Sequence, residues 1–132
     1  MTVQVGHQDA RRVAAGARRR FVAATARLDD GRPVLSVMGE VDLATAPVLE
    51  ETLVDLVETG IGDVIVDLSG CSFLDSAGVR ALVAASRRLE HSDRSLALVL
   101  SNPNVMRVFE LMQYDDWFET YPSLRAVGNG HG

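Results

Sequence analysis

The chain has 132 residues, enough for one core but not two, and an apolar content of 47% with 5% aromatics, so its interior is built from Val, Leu and Ala. A net charge of −5 divides into +5 over residues 1–27 and −10 over the remainder, and every basic residue is arginine. An acidic body argues against a nucleic-acid-binding domain, no apolar run approaches the roughly 20 residues of a membrane span, and the lone Cys71 leaves no internal disulfide and suits a reducing cytoplasm.

Residues 1–20 read as an arginine-rich arm, solvated and partly disordered, ahead of a body at 21–127 and a flexible tail at 128–132. The N-terminus lacks the order of charged, apolar and small residues found in a signal peptide. "FVAATARL" and "PVLSVMG" are strand-like runs around the turn signal "DDGR", a hairpin. Thr45 to Pro47 starts a helix, with Leu49, Leu53, Leu56 and Val57 on one face and Gly60 as its stop. "DVIVDLS" is a strand covered on both sides, and Ser69 to Asp75 reads as a loop. Val79, Leu82, Val83, Ser86 and Leu89 trace a second helix, with Arg80, Arg87 and His91 on its opposite side. "SLALVL" is another buried strand. Asn102 caps a third helix that has Pro103 in its first turn. "WFETY" is a last short strand and "PSLRAV" a terminal helical turn. The order β-β-α-β-α-β-α-β predicts a single α/β domain with a mixed, mostly parallel sheet of four to five strands, three to four helices and an opening β-hairpin.

In such sheets sites gather where strands give way to helices, which is where Ser76 stands, after Asp75. Catalysis by this serine would need a base within reach. His7 and His131 lie in the terminal arms, and His91 lies over 20 Å along the helix at about 1.5 Å per residue. No G-x-S-x-G elbow, phosphate loop or metal-ligand spacing is present. The chain is therefore expected to be no enzyme and to need no metal or cofactor. The acids Glu40, Asp42, Asp67 and Asp75 read first as solvated loop carboxylates. Local chemistry alone makes Ser76 a helix cap, with Asp75 facing the positive end of the helix dipole. The same geometry displays the hydroxyl to another protein's active site.

The segments "GEVDLATAP" (39–47), "DLSGCSFLDSAGVRALV" (67–83) and "SNPNVMRVFEL" (101–111), in this order, resemble STAS domains, and among these the bacterial anti-sigma factor antagonists. The resemblance covers residues 21–127. It implies a non-enzymatic regulator of sigma-factor-dependent transcription that works by partner switching. Unmodified, such a protein binds an anti-sigma factor that is also a serine kinase; phosphorylation of the serine after the motif aspartate, here Ser76, releases it, and a PP2C-type phosphatase restores it. By the same resemblance Asp42, Asp75, Ser76, Ala77, Gly78 and Arg80 form or present the docking surface, with Gly78 allowing close backbone approach. The dipole and free amides at the helix start are expected to accommodate the phosphate, so that the fold survives it. Two positions depart from the family pattern. Ala77 stands where a second hydroxyl is common, and Arg80 where a small residue is usual, putting a cation one turn from Ser76. The alternative is a STAS adaptor subunit of a transporter or signalling scaffold, not controlled by phosphorylation. Cys71, beside a buried strand, reads as a packing residue.

Overall fold

The computed structural model describes residues 3–4, 14–15, 21–60 and 62–130, with 3–4, 14–15 and 129–130 described by backbone alone. The body opens with β3 (Phe21–Leu28) and β4 (Pro33–Val41), paired antiparallel from Phe21↔Gly39 to Arg27↔Pro33. Two short strands, β1 (Val3–Gln4) and β2 (Ala14–Ala15), pair antiparallel with β3. The rest of what was expected of the arm falls on residues outside those described, as do His7 and His131.

After β4 come α1 (Ala46–Thr59), β5 (Val64–Leu74), α2 (Ser76–Glu90), β6 (Leu96–Val99), α3 (Pro103–Leu111), β7 (Glu119–Tyr121) and α4 (Leu124–Gly130). The hairpin continues into the parallel run β4-β5-β6-β7. The predicted α/β architecture, with its mixed sheet and opening hairpin, is the one observed. Its main core is aliphatic: Leu49 and Leu53 of α1, and Val79, Leu82 and Leu89 of α2, bury against Leu35, Val37, Val66 and Leu68 of the strands. A smaller cluster of Leu28, Val34, Ile65, Val99 and Val127 places α4 against the other face of the sheet. In α3, Asn102 accepts from the Asn104 amide and Pro103 follows it, as the sequence predicts.

One stretch differs. Residues 69–74, expected as loop, continue β5 to Leu74. The register with β4 slips twice, between Ser36 and Met38 and between Gly39 and Glu40, each time leaving one extra residue on the β5 side. These bulges let the small polar segment "SGCS" stay in the ladder while its side chains are re-aimed. The strand therefore delivers its last residue, Leu74, beside Val41, the last residue of β4.

Candidate functional site

Asp42 and Asp75 are the first residues past that terminal Val41↔Leu74 pair, on strands about 4.8 Å apart. The Asp75 amide donates to the Val41 carbonyl at 3.0 Å, tying the two turns together. In the first turn the Asp42 carboxylate accepts from the amides of Ala44 and Thr45, both at 3.0 Å. Thr45 Oγ1 accepts from the Asp42 amide at 2.9 Å and donates to the Glu40 carbonyl at 3.1 Å. These donors, the Thr45 amide foremost, hold Asp42 below the ordinary aspartate pKa of 3.8. Asp42 thus shapes the turn that launches α1.

In the second turn the helix cap is Asp75 and not Ser76. The Asp75 backbone is extended, and its side chain accepts from Ala77 N at 2.9 Å and Gly78 N at 3.3 Å. This corrects the reading of Ser76 as the cap. Aspartate and serine cap equally well, and here the extended end of β5 puts the aspartate in the capping position. A second correction follows: of the amides expected to be free at the helix start, those of Ala77 and Gly78 are already taken by Asp75.

Relieved of capping, Ser76 is the first residue of α2 and is exposed. Asp75 and Ala77 on either side are half-buried, and Arg80 is exposed one turn on. Gly78 is buried against the strand ends; a Cβ there would overlap Leu74 Cδ1 and lie 2.9 Å from Val41 Cγ1. The absence of a side chain lets Leu74 and Val41 pack onto this glycine, and so seats the start of α2 directly on the ends of β4 and β5. The structure thus brings Asp42, Asp75, Ser76, Ala77 and Gly78 to one edge of the sheet, with Arg80 beside them.

Two neighbours were missed from sequence. Leu43, 77% exposed in the first turn, and Phe73, 49% exposed near the end of β5, are large apolar side chains adjoining Asp42 and Asp75. Phe73 was hidden by the loop reading of its segment. Leu43, an apolar residue in a polar turn, was a usable signal. Cys71 is buried, its thiol donating to the Phe73 carbonyl at 3.2 Å; burial pushes its pKa up to about 11 against the lowering effect of that bond. His91 stands at the far end of α2 as its C-cap. Among the described residues no group of three or more His, Cys, Asp or Glu could hold a metal ion, and no helix is long and apolar enough to cross a membrane.

Comparison with known proteins gives a consistent picture. The family model described as STAS domain matches residues 23–127. The anti-sigma-F factor antagonist RsfB of Mycobacterium tuberculosis is 33% identical over 101 residues, 76% of this chain and 82% of that protein. The crystal structure of an anti-sigma factor antagonist from Mycobacterium paratuberculosis superposes with a TM-score of 0.78 at 30% identity, covering 87% of this chain and 97% of that one. The anti-sigma factor antagonist SpoIIAA in its unphosphorylated form shares the fold with a TM-score of 0.70 at 21% identity, covering 83% and 96%.

Proposed function

Because the chain belongs to the STAS domain family, and relatives that it matches over most of their length are anti-sigma factor antagonists, we propose that it is itself an anti-sigma factor antagonist, working by partner switching in the cytoplasm and catalysing nothing. Unmodified, it binds an anti-sigma factor with serine kinase activity through the edge that carries Asp42, Asp75, Ser76, Ala77, Gly78 and Arg80. The kinase then modifies Ser76: the hydroxyl oxygen bonds to the γ-phosphorus of ATP, the bond to the β-phosphate oxygen breaks, ADP leaves, and the hydroxyl proton passes to the kinase's base. A PP2C-type phosphatase reverses the step by hydrolysis.

The observation that carries this reading is the exposure of Ser76 on a rigid mount. Its hydroxyl is not engaged in capping, since Asp75 does that work, and Gly78 fixes the helix start on the strand ends. A phosphate adds about −1.5 to −2 charges. At about 6 Å from a negative group on the partner and an effective dielectric of about 20, each charge pair costs about 3 kcal/mol, roughly a hundredfold in affinity. The fold loses little, because the modified oxygen lies outside the core. Leu43 and Phe73 supply apolar area that a partner would cover in the unmodified state.

Incubation with cognate anti-sigma kinases and ATP, followed by peptide mass spectrometry, tests the assignment. The expected result is one phosphate on Ser76, absent in Ser76→Ala. If every cognate kinase left Ser76 unlabelled, the chain would be an adaptor that docks without phosphorylation.

A further inference from the structure

We infer that Arg80 is the counter-ion of a phosphate carried on Ser76, so that this chain partly neutralises its own modification; the inference rests on Ser76 being the modified residue. Ser76 and Arg80 are four apart on α2 and both exposed, so their Cβ atoms lie on one face at about 5–6 Å. Side chains on a helix lean toward its N-terminus, so a group on Ser76 lies within reach of the Arg80 guanidinium.

The other arginines of this helix are committed. Arg87 stacks over the Trp117 ring at 5.3 Å from its centroid, and Arg88 lies 3.9 Å from Glu58. Arg80 has neither an ion pair nor a ring contact among the described residues. It borders a groove between α1 and α2, with Leu43, Pro47 and Glu50 on the far wall and Ala77 and Ala84 on its own.

The usual alternative for a phosphate at a helix start is narrowed, because Asp75 occupies the Ala77 and Gly78 amides. The phosphate therefore adjoins a carboxylate, with Asp42 on the neighbouring turn and Glu40 at the end of β4. Across the groove, Glu50 competes for the guanidinium. Amid these acids Arg80 is the cation at helical reach, and a doubly charged phosphate is a stronger partner for it than Glu50. Pairing there favours the dianion and reduces the negative field shown to the docking partner, so Arg80 sets how sharply phosphorylation repels it.

The test uses three full-length proteins with phosphoserine installed at position 76 during synthesis: one with Arg80, one with Arg80→Gln and one with Arg80→Lys. Phosphorus NMR follows the second phosphate ionisation, which lies near pH 6. Arg80→Gln should raise that pKa by about half a unit, Arg80→Lys should restore part of the difference, and added salt should shrink it. Circular dichroism confirms that all three fold; the altered residue is exposed. Identical phosphate pKa values in the three proteins would overturn the pairing. No kinase takes part, so this outcome would leave the switch itself standing, whereas failure of kinases to label Ser76 would remove the switch without bearing on the measured pKa.

Discussion

Replacing Gly78 by alanine sets helix propensity against packing. In an open helix, Gly→Ala stabilises by about 1 kcal/mol. Here the added Cβ overlaps Leu74 Cδ1 and sits 2.9 Å from Val41 Cγ1. Neither neighbour has room to retreat, since Leu74 is 1% exposed and Val41 is fully buried and stiff at χ1. Overpacking of this kind costs about 1–3 kcal/mol, and because the overlap involves two core side chains the upper half of that range applies. The expected net loss is about 1–2 kcal/mol, read by urea unfolding, with a fall in Tm of about 4–8 °C for a domain of this size. Trimming the obstacle should couple to the change: Gly78→Ala with Leu74→Ala should cost at least about 1 kcal/mol less than the two separate effects added together. If Gly78→Ala proved as stable as the parent, or more so, the seating of α2 on the strand ends would be wrong.

Other outcomes follow from the same edge. Asp75→Ala removes the α2 cap and should cost about 1 kcal/mol in denaturant unfolding, with Asp75→Asn recovering most of it; an unchanged midpoint in Asp75→Ala would contradict the assigned cap. Asp42 has a lowered folded pKa, so its contribution is complete above the ordinary value of 3.8 and is lost as pH falls through the folded value. A pH series of unfolding midpoints should therefore decline less steeply below about pH 4 in Asp42→Asn than in the parent; parallel curves would refute this. Cys71, with its pKa pushed up to about 11 by burial, should react with a thiol reagent at about pH 8 far more slowly in the folded protein than in denaturant; equal rates would mean that the thiol is open.

The aliphatic periodicities of α1 and α2 were legible in the sequence because each buries one face in the main core, and the apolar runs of β5 and β6 because the two clusters cover both faces of those strands. The continuation of β5 through "SGCS" was not, since two bulges admit small polar residues to a ladder where composition predicts a loop. The caps show the limit of local chemistry. Asn102 was placed correctly beside Pro103, but Asp75 and Ser76 are adjacent and equally suited, and only the length of β5 decides between them. Thr45 lies at the start of α1 as expected, yet its hydroxyl makes no cap bond and serves the Glu40–Asp42 turn instead. The isolation of Arg80 depends on where Trp117 and Glu58 fall in space, which no helix pattern reveals.

The most direct measurement is the affinity of a cognate anti-sigma factor for this protein with Ser76 unmodified and with Ser76 phosphorylated, alongside the melting temperature of each form. The account predicts roughly a hundredfold weaker binding on phosphorylation, with melting temperatures within a few degrees. Equal affinities, or a loss of binding matched by a collapse in stability, would contradict it.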